Sequence, residues 1–350
     1  MNASSQDTRV YPFSFTGTGG EYFRIWIVNL ALTLLTFGIY SAWAKVRRKR
    51  YFNNHTLLDG HPFDYLADPK AILKGRLIAF AFFTVYALSQ KAYPLISGAL
   101  ALLFFCVFPW IVVRALQFNA RNTSHRGLRF NFLGGMGESF RVFMGLGIMT
   151  LVTVGFAAPY AAYRKTGFVA GNHAFGATRS SFQGQVWDFY KVYLVALLIL
   201  LVPIGLAVAW LVSHFGGLRA GGVSKREITL AVGAVLLAVY ASLPILIGFM
   251  KARTARLMIA GTRFGDLGLL SAHRARRLIW LYVSNLILIA LTFGIFIPWA
   301  QVRTARFWLD NLSVTGPEGG LDGFAAAAGE GLSATGAEMA DVFDVDLAIA

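Results

Sequence analysis

The sequence predicts an all-α polytopic membrane protein that is built from internal repeats, with short extended segments beside the membrane. Hydrophobic residues make up 56% of its 350 residues and charged residues 14%, whereas a typical soluble domain has roughly 25% charged residues. Long apolar runs follow one another along the chain, and similar phrases of sequence recur around them. The composition excludes a disordered chain, and the single cysteine excludes a disulfide scaffold.

Four of the apolar runs are predicted to cross the bilayer as two helical hairpins. Residues 77–89 and 92–113 are separated by a short turn, and residues 190–212 and 228–250 by a Gly-rich loop. The second run of each pair holds about 20 apolar residues, which at about 1.5 Å per residue spans a hydrocarbon core of about 30 Å. Cys106 lies in the second of these runs, where we expect it to be buried as a small hydrophobic residue.

Three further runs stand alone, at residues 25–44, 142–163 and 279–300. Each is predicted either to cross the membrane or to enter and leave it on one face as a re-entrant hairpin. If all the runs cross, the 32 Lys and Arg residues divide 18 to 14 between the two sides of the membrane. If the lone runs re-enter, the division is 28 to 4, which agrees better with the positive-inside rule. Charge therefore favours re-entry and leaves the crossing arrangement as the alternative.

A candidate structural motif supports a break inside the first and last lone runs. A glycine lies near the middle of each run, where it weakens a helix, and a proline interrupts the last run again. Aromatic residues of the kind that favour the membrane interface follow each glycine. The motif residues are Gly38, Tyr40, Trp43, Gly294, Pro298 and Trp299.

One unit recurs about five times, with starts near residues 13, 63, 130, 180 and 269. Residues 29–50 and 285–306 are identical at 13 of 22 positions, at a constant offset of 256. Phe-x-aromatic pairs open the copies, and their alternation of period two predicts a short strand before a glycine turn. The sequence thus divides into a polar N-terminal tail (1–12), a repeat-built membrane domain (13–316) and an acidic, Gly/Ala-rich C-terminal tail (317–350).

Positive charge is concentrated next to the apolar runs. Residues 1–316 carry a net charge of +22 and the tail −7, and a Lys or Arg beside an anionic membrane surface contributes about 1 kcal/mol of attraction. Two equivalent amides, Asn29 and Asn285, lie just inside lone runs, where they either line a solute path or form hydrogen bonds between helices. The candidate lipid-binding or partner-binding residues are Lys45, Arg47, Arg48, Arg50, Arg303 and Arg306.

Recognisable catalytic chemistry is missing from the sequence. The six histidines do not have metal-ligand spacing, and no nucleophile-elbow, nucleotide-binding or zinc-protease motif is present. We therefore predict no catalytic, cofactor or metal site, and no enzyme. The apolar runs contain no Asp or Glu, which disfavours a proton-coupled transporter. Anionic membrane lipids are the predicted partners, in preference to nucleic acid, and no protein partner is identified.

Several phrases resemble the YjgN family of bacterial inner-membrane proteins. They are FSFTGTGGEYF, LTFGIYSAWAKVRRKRYFNNHTLLDG and LTFGIFIPWAQVRTARFWLDN. The resemblance implies a multi-pass protein of the bacterial cytoplasmic membrane, with a domain of unestablished function and no defined catalytic residue. The leading functional hypothesis is transport of a small solute or lipid. The alternative is a membrane scaffold or regulator that binds anionic lipid or an acidic partner through a basic cytoplasmic face, where we also expect the C-terminal tail.

Overall fold

Ten short strands close into one antiparallel barrel, and helical segments connect them. The computed structural model describes residues 8–176, 178–215 and 225–317. The strands are β1 (Thr8–Phe15), β2 (Thr56–Leu58), β3 (His61–Tyr65), β4 (Thr123–His125), β5 (Leu128–Phe132), β6 (His173–Phe175), β7 (Thr178–Phe182), β8 (Thr262–Phe264), β9 (Leu267–Ser271) and β10 (Leu312–Pro317). Each strand pairs with its neighbours in sequence, and β10 pairs with β1 to close the ring.

The prediction of an all-α protein is therefore wrong. Most of the strands have only three to five residues, and so short a segment buries too little apolar surface to be stable alone. Closure supplies each strand with a neighbour on both sides and removes the open edges. Asp59-Gly60 and Arg126-Gly127 form two-residue hairpin turns in which both residues have positive φ, as a type I′ turn requires.

Aromatic and aliphatic side chains fill the interior of the barrel. The buried cluster contains Tyr11, Leu58, Phe175, Leu267 and Val314. The first aromatic residues of three successive repeats stack in order around it. The ring centroids of Phe13 and Phe63 are 6.0 Å apart, and those of Phe63 and Phe130 are 6.2 Å apart.

The second aromatic residue of a repeat packs between the barrel and the helices. Phe132 is buried with Phe168, and a Cβ atom at Gly134 would lie 2.5 Å from its ring. At Gly17 a Cβ atom would lie 2.7 Å from the ring of Phe15. The glycine after each of these pairs is required because the aromatic ring lies across its backbone.

The helices follow the order of the predicted runs. They are α1 (Gly19–Leu35), α2 (Ser41–Asn54), α3 (Pro69–Ala92), α4 (Pro94–Arg121), α5 (Met136–Ser139), α6 (Leu146–Val152), α7 (Ala158–Gly171), α8 (Val186–Phe215), α9 (Lys225–Gly261), α10 (Ala275–Leu291) and α11 (Ile297–Asp310). A π-helical segment, Phe140–Gly145, joins α5 to α6. Each lone run is thus divided into an outgoing and a returning helical segment.

The four predicted spans are confirmed as helices long and apolar enough to cross a membrane. They are Pro69–Ala92, Pro94–Arg121, Val186–Ser213 and Lys225–Gly261. The expectation that Cys106 is buried is wrong, because its side chain is exposed on the surface of α4. An apolar run in a spanning helix faces lipid as well as protein, so its hydrophobicity does not imply burial.

The described residues form two compact units. The first contains the barrel with α1 to α7 and α11 from residue 298, and the second contains α8, α9 up to residue 257 and α10. Within the second unit α9 lies close to α10, since a Cβ atom at Gly248 would be 3.1 Å from the backbone of Ile279. The predicted C-terminal tail lies outside the described residues from position 318 onward, as do the first seven residues of the N-terminal tail.

Candidate functional site at the base of the helices

The basic residues of α2 make contacts within the protein. The Arg47 guanidinium donates to the Asn29 Oδ1 atom at 3.3 Å and to the Tyr40 hydroxyl at 3.2 Å. Arg50 donates to the backbone oxygen of Tyr65 at 3.4 Å. Lys45 is 8% exposed, and Arg48 is half-buried. Arg47 thus joins α2 to α1 and Arg50 joins α2 to the end of β3, and of these four cations Arg47 and Arg50 are the exposed ones.

In the last repeat an equivalent cation binds the first repeat. Arg306 lies at the position that matches Arg50 and donates to the backbone oxygen of Gly17 at 2.9 Å. Arg50 binds the end of the strand in the following repeat, and Arg306 binds the turn after β1 in the first. Arg303 is half-buried on α11, one turn before Arg306. The matched arginines therefore join neighbouring repeats.

Both candidate amides are buried. Asn29 is 8% exposed on α1 and accepts its hydrogen bond from Arg47 on α2. Asn285 is 5% exposed on α10. At Asn29 the observed contact corresponds to the hydrogen bond between helices that the sequence left as one of two possibilities.

The motif residues lie at the bends of the lone runs and just beyond them. Gly38 and Gly294 each have φ of 90°, and the Tyr40 ring stacks on Trp43 at 6.1 Å. In the last repeat Trp299 stacks on Phe23 at 5.0 Å. Pro298 is buried at the start of α11. The glycines permit the bend, and the tryptophans pack against protein beside it.

Sequence reasoning missed one cation in each of four repeats, which we call the base cations. Each lies seven residues after the small residue that follows the Phe-x-aromatic pair, counting from Gly17, Ala67, Gly134 and Gly184. All four are exposed on the outgoing helical segment. The base cations are Arg24, Lys74, Arg141 and Lys191. The constant spacing was the signal in the sequence, and the fifth copy has Trp280 at this position, 69% exposed.

Burial shifts the pKa of three side chains beside the strands. Burial lowers the pKa of His125 to about 4, and the ring lies 4.4 Å from Phe63 in a stacked arrangement. Burial also lowers the pKa of His173. The pKa of the Tyr51 hydroxyl is raised to about 12, chiefly by burial, and this hydroxyl donates to the Thr18 backbone oxygen at 2.9 Å. With a pKa of about 4, His125 is neutral at pH 7.

A metal-binding cluster of three or more His, Cys, Asp or Glu side chains is absent from the described parts of the chain. Exposed and half-buried cations lie at the base of the helices in the described residues.

Comparison with known proteins gives the following matches. A family model described as "Bacterial protein of unknown function (DUF898)" matches residues 10–342. The inner membrane protein YjgN of Salmonella typhimurium is 33% identical over 152 residues, which cover 43% of this chain and 38% of that protein. The inner membrane protein YjgN of Escherichia coli (strain K12) is 29% identical over 153 residues, with the same two shares. No solved structure matches the chain.

The matches confirm the resemblance and the location predicted from the sequence. Both relatives are named as inner membrane proteins, and the chain has four helices long and apolar enough to span a membrane. The aligned segment amounts to 38% of the length of each relative.

Proposed function

We propose that this chain, which belongs to the DUF898 family of bacterial proteins of unknown function, is a membrane scaffold without enzymatic activity. In this proposal the barrel lies on the cytoplasmic face of the inner membrane. Three of the base cations, Arg24, Lys74 and Arg141, bind the headgroups of anionic phospholipids in the adjoining leaflet. The scaffold holds these lipids, and the helices between the strands anchor it.

The closed barrel is the observation that carries the proposal. Every helical segment, including the hairpins α3–α4 and α8–α9, starts after one barrel strand and ends before the next. A segment whose two ends lie in one ring on one side of a membrane crosses that membrane an even number of times. This parity supports re-entry of the three lone runs. It also favours the arrangement in which 28 of the 32 cations face the cytoplasm.

The base cations lie at the level where headgroups are expected. Arg24, Lys74 and Arg141 each occupy the first two turns of an outgoing helical segment, immediately before its apolar part. Each exposed cation at an anionic surface contributes about 1 kcal/mol of attraction. The proposal assigns one headgroup contact to each of these repeats, because the cations share one register.

The described interior supports a scaffold in preference to a transporter. The barrel strands contribute a buried cluster of aromatic and aliphatic side chains, which favours a packed interior over a solute channel. Among the described residues of the four spanning helices, the buried polar side chains are Ser89 and Ser242. Each donates to a backbone oxygen of its own helix, Ser89 to Tyr86 and Ser242 to Val239. A continuous polar path across the spans is therefore not formed by these residues.

The test compares two double variants of the full chain in lipid nanodiscs. Arg24→Gln with Arg141→Gln removes two base cations, and Arg129→Gln with Arg263→Gln removes two exposed cations from barrel strands. Binding of brominated phosphatidylglycerol and phosphatidylcholine is followed by quenching of tryptophan fluorescence. We expect the first pair to lower the preference for phosphatidylglycerol by about tenfold or more, because each of the two cations attracts anionic lipid. An equal decrease in the control pair, or an unchanged preference in the first, would contradict the proposal.

A further inference from the structure

Each lone run bends at a five-residue corner of constant geometry, at residues 36–40, 153–157 and 292–296. The corner opens with a threonine whose hydroxyl serves both helical segments. Thr36 Oγ1 donates to the Leu32 backbone oxygen at 2.7 Å and accepts from the Tyr40 amide at 2.9 Å. Thr153 and Thr292 repeat both bonds at 2.7–3.0 Å. One side chain thus caps the end of the first helix and the start of the second.

The remaining amides of the corner donate to backbone carbonyls in the corner or in the turn just before it. The glycine amide donates back to the carbonyl five residues earlier, at 2.8 Å from Gly38 to Thr33 and at 2.8 Å from Gly155 to Thr150. The residues on either side of each glycine donate to carbonyls three residues back. A polypeptide backbone in hydrocarbon must satisfy its polar groups without water, and these corner amides meet that condition.

A large apolar residue projects from the tip of every corner. Phe37 is 97% exposed, Val154 87% and Phe293 98%. All three have φ of 49°, a left-handed conformation that side chains rarely adopt. Exposure of such side chains to water is unfavourable relative to burial, which points to an apolar medium around them.

The helical segments on either side of a corner, which we call its arms, have lengths that identify that medium. From Arg24 to Leu35 and from Arg141 to Val152 there are 11 residues, which is about 17 Å of helix. The returning arms have nine residues from the corner glycine to the next arginine, or about 14 Å. Half of a hydrocarbon core of about 30 Å is about 15 Å. Both arms therefore match one leaflet.

The spanning hairpin α3–α4 provides a comparison of lengths. From Lys74, the base cation of its repeat, to Ala92 at the end of α3 there are 18 residues, or about 27 Å. From Pro94 at the start of α4 to Arg114 there are 20 residues, or about 30 Å. The same cationic positions thus frame a full bilayer in the paired runs and half a bilayer in the lone runs.

We propose that the two corners in the same unit as the barrel, at residues 36–40 and 153–157, are wedges that lie among the acyl chains of the leaflet on the barrel side, with their tips near the bilayer midplane. This inference rests on the proposed function only in placing the barrel at a membrane face. Its occupant is lipid hydrocarbon. The wedges widen the protein in one leaflet without crossing the other.

Single-cysteine labelling of the full chain tests the wedges. In a Cys106→Ser background, which removes the native cysteine, Phe37→Cys and Val154→Cys place thiols at two independent tips. Tyr93→Cys lies in the turn between α3 and α4 and Asp59→Cys in a barrel turn, and both serve as aqueous controls. In sealed vesicles of each orientation, a membrane-impermeant maleimide should label each control from one side only. It should label the tips from neither side in the time that fully labels both controls.

Depth is measured on the same variants with a nitroxide label. We expect the tip labels to be more accessible to oxygen than to a water-soluble nickel chelate, at a depth of about 15 Å. Labelling of either tip by the aqueous maleimide would overturn the wedge. A short distance between the tip labels of two chains would also overturn it, because a second copy of the chain would then cover the tip in place of lipid. If Asp59→Cys is labelled from the periplasm while the tips stay protected, the proposed cytoplasmic placement fails and the wedge stands.

Discussion

Replacement of Gly38 by alanine tests whether the left-handed backbone of the corner is needed. Gly38 has φ of 90°, a conformation that costs a residue with a side chain roughly 1–2 kcal/mol. A Cβ atom added at Gly38 would meet no heavy atom within 4 Å. The whole loss of unfolding free energy therefore comes from the backbone, and no steric clash contributes to it.

Gly20 provides a matched control on the same helix. Its added Cβ atom also meets nothing within 4 Å, and it lies in the regular first turn of α1. Alanine there should be neutral or raise the unfolding free energy by up to about 1 kcal/mol. In detergent, thermal unfolding followed by the fluorescence of the eight tryptophans should show a midpoint lower by about 2–6 °C for Gly38→Ala. Equal midpoints for the two variants would refute the argument.

Three further changes test the barrel and its contacts. Burial lowers the pKa of His125 to about 4. As the pH falls below about 6.5, the unfolded chain therefore takes up a proton that the folded chain does not. The free energy of unfolding should fall by about 3 kcal/mol between pH 6.5 and pH 4. Denaturation at a series of pH values should show this, and a His125→Phe variant that retains the full loss would contradict it. Gly134→Ala places a Cβ atom 2.5 Å from the buried Phe132 ring and should destabilise the fold by roughly 1–3 kcal/mol. Gly137→Ala, with open space around the added Cβ atom, should be nearly neutral. Thermal unfolding followed by tryptophan fluorescence compares the two variants. Arg306→Gln removes a hydrogen bond between the last and first repeats. It should lower the free energy of unfolding by about 1 kcal/mol without changing the preference for anionic lipid. A lower lipid preference at unchanged stability would instead show that Arg306 binds lipid.

The barrel illustrates why the prediction of an all-α fold was wrong. The period-two pattern of Phe13 and Phe15 correctly suggested a short extended segment, and strands occupy that place in all five repeats. Three-residue partner strands such as Thr56–Leu58 are too short to show a pattern. Whether five separate segments join depends on pairing between distant parts of the chain, such as Tyr11 with Val314.

The cations show the same limit at the level of the site. Sequence reasoning selected the dense cluster around Arg47 because charge density is visible in a single segment. Its bonds to Asn29 and Tyr40 depend on the bend between α1 and α2, which brings these side chains together. The base cations have a weaker local signal, since each is a single residue, and their shared register becomes visible when the repeats are aligned on their opening segments.

By itself the sequence determined the membrane class, the four spans and the repeat, because hydrophobicity and self-similarity are local properties that survive in any fold. Only the tertiary structure decided that the strands form one ring and that Arg306 meets Gly17, 289 residues away. Backbone pairing between strands and hydrogen bonds between side chains depend on positions in space. Under the proposed placement of the ring on one face of the membrane, each helical segment between two strands crosses an even number of times, a constraint that charge counting alone could only favour.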